Sequence, residues 1–241
     1  MNWVVVTGDT GSLGSAIIEK IIGETSFGII GIGRRENEFT DKVAKLYPER
    51  YWHLSFDLND ADNIKELFNK KIRPIGRIYG FVNNAANAYD DLVTNIHLEP
   101  LERMYRINVF SPMLLTKYII RDMLISKLSG SIVHISSVSA HTGYKGLAMY
   151  ASTKGALEAF SKGTSREWGP RGIRSNVVAP GFMETAISAK LTDEQRNKIY
   201  KRTSLKKATD VNSVAELVVF LMTEKAKSIT GTTIHVDNGT I

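Results

Sequence analysis

Short, nearly uninterrupted apolar runs separated by longer helical patterns dictate how this chain of 241 residues can fold. The runs are Trp3–Val6, Gly28–Ile32, Trp52–Phe56, Ile78–Val82, Ser131–Ile135, Arg174–Val178 and Thr233–Val236. Between them lie Ser12–Ile22, Thr40–Leu46, Ala61–Asn69, Leu101–Leu128, Met149–Trp168 and Asp210–Met222, which read as helices. A strand with one wet face alternates apolar and polar residues. These runs are too continuous for that and need cover on both faces, which intervening helices supply. The pattern predicts an α/β fold: one doubly wound domain, a parallel seven-stranded sheet with helices on both faces and right-handed crossovers. No linker, repeat or low-complexity segment divides residues 1–241.

The first run enters Thr7-Gly-Asp-Thr-Gly-Ser-Leu-Gly14, and a helix follows. Gly8, Gly11 and Gly14 permit a tight turn, close approach of backbone to a pyrophosphate, and close helix–strand packing, with the helix N-terminus facing the phosphates. The alternative for such a loop is a tight turn without ligand. Between a first strand and a first helix, it predicts a Rossmann-type dinucleotide site. Twenty residues after Gly14 come Arg34 and Arg35. A carboxylate here suits the ribose 2′-hydroxyl of NAD, whereas arginine suits the 2′-phosphate of NADP. NADP(H) is therefore preferred over NAD(H). The bland reading is a solvated arginine pair, and Asp9 argues the other way if it lies close to the same phosphate. Asp57 and Leu58, after the third run, are placed to meet the adenine.

Composition narrows the function classes. There is no cysteine, so no thiolate nucleophile, disulfide framework or Cys-based metal site. The five histidines at 53, 97, 134, 141 and 235 are dispersed, and none makes a helix pair at metal-ligand spacing. No metal is expected. No apolar run approaches bilayer-spanning length, and the N-terminus does not read as a signal peptide. A cytoplasmic enzyme without a membrane partner is the expectation. The net charge is +6, but lysines and arginines are scattered without a basic, aromatic-interleaved stripe, which disfavours nucleic acid.

Tyr150 and Lys154, in Met149-Tyr-Ala-Ser-Thr-Lys154, share one helix face. A phenol titrates near about 10 and is a poor base at neutral pH. An ammonium at roughly 4 Å favours the phenolate by about 1 kcal/mol in water and about 4 kcal/mol at an effective dielectric of 20. The pair thus becomes an acid–base device only in a partly dry pocket; otherwise it is a half-buried tyrosine beside a solvated lysine. Pro112 should kink the preceding helix near Asn108, where a side chain can be aimed. Residues 182–207 are polar and weakly patterned, and read as a mobile substrate flap.

In order along the chain, the glycine loop, Asn83-Asn84-Ala85, Asn108, Ser137, the Tyr150/Lys154 pair and Pro180-Gly181-Phe-Met-Glu-Thr185 resemble the short-chain dehydrogenases/reductases. The length and the spacing of thirteen from Ser137 to Tyr150 point to the compact branch. The run as a whole is most similar to bacterial 3-oxoacyl-[acyl-carrier-protein] reductases. Three departures stand out: Ser12 follows Gly11 where the compact branch has its middle glycine, Ala86 replaces the glycine of Asn-Asn-Ala-Gly, and Asn238 sits where glycine is common.

The resemblance implies a catalytic set of Asn108, Ser137, Tyr150 and Lys154. Ser137 would bond the substrate carbonyl oxygen, and Tyr150 would exchange a proton with it. Lys154 would lower the Tyr150 pKa and bind the nicotinamide ribose, while Asn108 would hold a water linking Lys154 to solvent. Ser136, the neighbour of Ser137, would face the other way. Cofactor contacts would come from Gly8, Thr10, Gly11, Ser12, Leu13, Gly14, Arg34, Arg35, Asp57, Leu58, Asn84, Ala85, Ala86, Tyr150, Lys154, Pro180, Gly181, Met183 and Thr185. Thr185 can also cap a following helix. Substrate contacts would come from Ser139, Tyr144 and Phe182, with Met149, Met183, Ile187, Asn87 and Tyr89 as further wall candidates and His141 near the pocket. The expected activity is NADP(H)-dependent interconversion of a carbonyl and a secondary alcohol, with reduction of a 3-oxoacyl thioester as the working hypothesis. An acyl carrier protein would dock through Lys127, Arg171 and Arg174. The alternatives are a reductase of a sugar or other secondary metabolite, and a dinucleotide-binding regulator without catalysis. A homodimer or homotetramer through Leu101–Leu128 and Met149–Trp168 is the family expectation.

Overall fold

In the computed structural model, which describes residues 1–185 and 191–241, the apolar runs form one seven-stranded sheet. The strands are β1 (Trp3–Thr7), β2 (Gly28–Gly33), β3 (Tyr51–Ser55), β4 (Ile78–Asn83), β5 (Gly130–Ile135), β6 (Ile173–Pro180) and β7 (Thr233–Val236). Their order is β3-β2-β1-β4-β5-β6-β7, and every adjacent pair is parallel. β1, β4 and β5 are buried along their whole lengths, which is why their sequences show no alternation.

Two apolar layers cover the sheet. One is built on α1 (Ser12–Glu24), α2 (Glu38–Leu46) and, later in the chain, the helix Val211–Met222, through Ile17, Ile21, Val43, Val218 and Met222. The other involves α3 (Ile64–Leu67) and the long stretch after β4, through Ile64, Phe68, Leu115, Ile119 and Met123. That stretch is not one helix. It divides into α4 (Leu98–Tyr105), a π turn over Arg106–Phe110 and α5 (Ser111–Ile125), with Pro112 in the first turn of α5. Proline cannot donate its backbone hydrogen, and the wide turn before it absorbs the mismatch. The irregular point expected near Asn108 is therefore real. A similar break divides the expected helix Ala61–Asn69 into a 3-10 turn, α3 and a π turn ending at Ile72.

After β5 come α6 (Ser139–Thr142) and α7 (Ala148–Trp168), then β6. The polar region from Phe182 to Lys207 contains α8 (Asp193–Tyr200), opened by a capping box between Thr192 and Gln195. Glu184 accepts from the Tyr200 hydroxyl and from Arg196 Nη1 at 3.3 Å, tying α8 back to the segment that follows β6. α9 is Val211–Met222. Ile187 lies outside the described residues. Among the described residues no helix is long and apolar enough to cross a membrane.

Candidate active site

The order reversal between β1 and β4 opens a crevice at the carboxyl ends of the strands, where ligands bind in folds of this kind. The glycine loop lies at that end. Gly8 has φ +71°, a turn position that strains other residues. A Cβ on Gly14 would stand 2.0 Å from the Gly8 carbonyl oxygen, so only glycine lets α1 pack so close to β1. Gly11 is different: a Cβ there would meet only ordinary contact, at 3.5 Å. Its bare backbone instead forms the N-cap of α1, with no side-chain cap bond and no acidic residue in the first turn. The start of α1 therefore presents backbone donors without a competing carboxylate, which fits a pyrophosphate. Ser12 begins the helix, and Leu13 is buried against the core.

Asn84 closes the crevice from the other side. Its Nδ2 donates to the carbonyls of Thr7 and Gly8 at 3.0 and 3.1 Å, and the Thr7 hydroxyl accepts from the backbone of Asn84 and Ala85. Ala86 is not among the residues with positive φ, so its extra methyl carries no left-handed strain. Asn238 is among them, at φ 59°, which accounts for glycine being common there; its side chain donates to Lys207 O. Gly181 is needed for close approach: a Cβ there would lie 2.6 Å from Thr209 Oγ1. Pro180 ends β6, and its carbonyl accepts from Val138, linking the two strand ends that frame the crevice. Met183 packs against the α1–α9 layer, and Thr185 follows it in a bend.

Arg34 and Arg35 are exposed at the end of β2 and make no ion pair among the described residues. Asp9 does not share their surface. It is fully buried and bonded to Tyr51 and His53. Asp57 is exposed and accepts from Asn59 N, while Leu58 is buried in the α3–α5 layer.

α7 brings the catalytic candidates to the end of β5. Lys154 is 2% exposed, and its Nζ donates to the Ile135 carbonyl at 2.8 Å, two residues before Ser137. The same Nζ lies 5.5 Å from the Tyr150 ring centre. Desolvation pulls Lys154 down to about 8. Tyr150 moves opposite to expectation: burial pushes the phenol above its ordinary range, and the Asp90 carboxylate raises it further. The reason is that a phenolate here would lose its hydration, while the ammonium meant to stabilise it is itself pushed towards neutrality. Asp90 is the residue that sequence patterning missed. It is exposed overall, yet its own carboxyl is pushed up by desolvation, and nothing in the loop after β4 marks it beforehand.

Ser136 and Ser137 separate as strand alternation requires. The Ser136 hydroxyl donates to Glu158, whereas Ser137 Oγ accepts from Ser139 N and, among the described residues, donates to no acceptor. The Asn108 side chain bridges the loop after β4 and α7. Its Nδ2 donates to Asn87 O at 2.8 Å and Thr153 Oγ1 at 3.0 Å, and its Oδ1 accepts from Asn87 N at 2.8 Å. With its amide so committed, the side chain clamps the loop after β4 to α7.

The substrate candidates spread. Tyr144 lies under the Arg202 guanidinium at 5.4 Å, and Phe182 packs beside Tyr200. Ser139 is buried, and its hydroxyl has no partner among the described residues. Met149 is buried in α7, Asn87 is held by Asn108, and the Tyr89 hydroxyl bonds Asn95 O. His141 is engaged elsewhere, donating to Glu158 at 3.0 Å beside His235. His134 is structural: it is fully buried, bonded to Asn83, and pushed down to about 3 by burial and by Lys154. Arg174 is not a free docking residue. Its guanidinium is spent on the carbonyls of Leu221, Thr223 and Ile229, while Lys127 and Arg171 remain exposed. No cluster of three His, Asp or Glu side chains suited to a metal occurs among the described residues.

Comparison with known proteins agrees with this layout. A family model described as Enoyl-(Acyl carrier protein) reductase matches residues 12–240. The chain is 34% identical over 237 residues to the 3-oxoacyl-[acyl-carrier-protein] reductase FabG of Aquifex aeolicus, covering 98% of this chain and 95% of that one. It is 32% identical over 235 residues to FabG of Haemophilus influenzae, with 98% and 96% covered. Among solved structures, ElxO with NADP bound superimposes with a TM-score of 0.89 at 26% identity, covering 99% and 98% of the two chains. A protein described as a short chain dehydrogenase/reductase family protein gives 0.87 at 25%, with 99% and 96% covered.

Proposed function

The chain belongs to the short-chain dehydrogenase/reductase family of oxidoreductases, and we propose that within it this protein is an NADP(H)-dependent reductase that delivers hydride to a 3-oxoacyl thioester. The observation that carries the reading is the Lys154–Ile135 hydrogen bond. It locks α7 to the end of β5 and so puts Tyr150, Lys154 and Ser137 at one strand end.

The glycine loop and the uncapped start of α1 hold the pyrophosphate, and Arg34 and Arg35 take the 2′-phosphate. When bound, the nicotinamide supplies the hydride, and the protein supplies position and electrostatics. Ser137 donates its free hydrogen to the substrate carbonyl oxygen. Tyr150, whose raised pKa keeps it protonated at neutral pH, gives its proton to that oxygen as charge builds there. A raised donor suits the reducing direction, since the alkoxide that forms is a stronger base than the phenolate. Lys154 resupplies the proton and binds the nicotinamide ribose. Residues 182–185 and 191–207 form the flap over this site.

FabG relatives support an acyl-thioester substrate and an acyl carrier protein as the docking partner. Lys127 and Arg171 are the residues on this chain that meet it. Exposed apolar side chains at Val93, Leu98 and Phe110, beside α4 and the π turn, support a homodimer or homotetramer through the α4–α5 and α7 faces. The cytoplasm is the compartment that fits this activity. Asp90 beside Tyr150 favours one second reading, a hydroxylated substrate such as a sugar, whose hydroxyl would donate to that carboxylate. The test is NADPH oxidation with an acetoacetyl thioester of acyl carrier protein or coenzyme A. Turnover on either supports the first reading; turnover only on keto sugars supports the second.

A further inference from the structure

Asp9 leaves β1 inside the phosphate loop, but its side chain turns beneath the sheet end instead of towards the phosphates. Its Oδ2 accepts from the Tyr51 hydroxyl at 2.8 Å and from His53 Nδ1 at 2.7 Å. Its Oδ1 is buried and has no hydrogen-bond partner among the described residues. β2 makes room for this carboxylate by having no side chains there. A Cβ on Gly31 would lie 2.1 Å from Oδ2, and one on Gly33 would lie 2.6 Å from Oδ1.

Gly33 is the last residue of β2 and immediately precedes Arg34. The end of the second strand is where a site selective for NAD carries its ribose-binding acid. Here that strand end is bare, and Asp9 fills the space from another loop. It sits too deep for contact with a ribose, yet it places a charge beside the residues that receive a 2′-phosphate. Charges buried in protein are weakly screened, so like charges a few ångströms apart oppose one another strongly.

We propose that the proton on His53 decides how strongly Asp9 opposes the 2′-phosphate, so that the Asp9–His53 pair acts with Arg34 and Arg35 to set the preference for NADPH over NADH. This rests on the NADP(H) reading above. With His53 protonated the pair is neutral; with His53 neutral it carries a net negative charge. The groups around the imidazole hold the proton in place. Asp9 faces it from the β1–α1 loop, Ser55 Oγ lies 3.5 Å from Nε2 on β3, and Glu36 and Asp41 act from the loop after β2 and from α2. Burial pulls His53 down, but the Asp9 hydrogen bond and these three carboxylates outweigh it, and its pKa ends above the ordinary value. The neutral pair therefore exists below the His53 pKa and is lost as pH rises through it. NADPH affinity falls over that interval, and NADH affinity does not. Ionisation of the 2′-phosphate itself, near about pH 6, works in the opposite sense and is common to every variant.

The experiment is calorimetric titration of the intact protein with NADPH and with NADH, without substrate, from about pH 6 to about pH 9. Wild type is compared with Asp9→Asn, His53→Gln and His53→Asn, two His53 variants being used so that a folding defect in one leaves the test intact. The expected result is a wild-type NADPH:NADH affinity ratio that drops about fivefold or more across the range. Relative to wild type, Asp9→Asn flattens the drop and binds NADPH tighter at high pH, while the His53 variants show the weak ratio throughout. A wild type that prefers NADPH with the same pH profile as Asp9→Asn overturns this inference alone. A wild type that binds NADPH no tighter than NADH at any pH overturns the cofactor reading on which it rests.

Discussion

Asn108 donates its Nδ2 hydrogen to the Thr153 hydroxyl at 3.0 Å, joining the π turn before α5 to the helix that carries Tyr150 and Lys154. Thr153 in turn donates to the Tyr150 carbonyl, so the clamp reaches the backbone of the proposed proton donor. Replacing Asn108 with alanine leaves Asn87 N–H, Asn87 C=O and Thr153 without this partner. Unfolding in urea should show a loss of about 1–3 kcal/mol, the cost of buried groups left unpaired. Turnover should fall with it, because the loop after β4 loses its hold on α7. An unchanged unfolding midpoint would mean that the clamp is decorative.

Tyr150→Phe removes the proton donor and keeps the ring. Turnover should fall by about 10²- to 10⁴-fold, the range of a single general acid. Cofactor affinity, read by fluorescence titration, should stay within about threefold, since one hydroxyl carries little of the binding. A variant that turns over at the wild-type rate sinks the mechanism.

Lys154 gives a pH signature in stability. It titrates near about 8 in the folded protein and at its ordinary, higher value when unfolded. Between those values the unfolded chain binds more protons, so raising the pH stabilises the fold. Thermal melts from about pH 8 to about pH 10 should therefore climb in wild type relative to Lys154→Met. Tyr150 contributes in the same sense nowhere in this window, because its raised pKa affects stability only above the ordinary phenol value. Parallel melting curves for the two proteins would rule out a depressed Lys154.

Arg34 and Arg35, replaced together by alanine, should weaken NADPH by about tenfold or more while leaving NADH within about threefold, as expected for the loss of charge-assisted bonds to a phosphate. Equal losses for both cofactors would refute their assignment to the 2′-phosphate.

Arg174 and Arg171 should part company. Arg174→Ala removes the charged hydrogen bonds to the carbonyls of Leu221, Thr223 and Ile229, each of which keeps a second donor, and should cost about 1–3 kcal/mol in stability. Arg171→Ala should leave stability within about 0.5 kcal/mol, as surface changes do, and slow association with an acyl carrier protein. Stopped-flow binding at two salt concentrations separates the effects.

The strands were legible because a buried parallel strand writes its apolar content continuously; Thr233–Val236 is found at its expected bounds, and β4 extends past Val82 only to Asn83. The start of α4 was not legible. Leu98, Glu99 and Pro100 carry no apolar period, and the helix begins there through local backbone bonding and not through burial. Pro112 announced the irregular turn at Asn108, since its effect on the helix is covalent. The partners of Asn108, Asp9 and Arg174 could not be read in the same way. Asp9 meets Tyr51 and His53 across separations of 42 and 44 residues, and Arg174 meets Leu221 across 47. Such contacts depend on strand order, which no local pattern carries. The sign of the Tyr150 shift was hidden for a related reason: spacing along a helix says which charges are near and nothing about how much water remains.

The bare face of β2 also constrains how this protein can change. Converting such an enzyme to NADH would ordinarily begin with an acid at the end of the second strand, here Gly33→Asp. That side chain would enter space already held by the Asp9 carboxylate, its Cβ 2.6 Å from Oδ1, and set two acids against each other. The step becomes passable only after Asp9 has shrunk or lost its charge, and Tyr51 and His53 would then need a new acceptor. On the NADP(H) reading proposed above, a change of cofactor would thus be an ordered path through several positions, with the first move made at the buried Asp9.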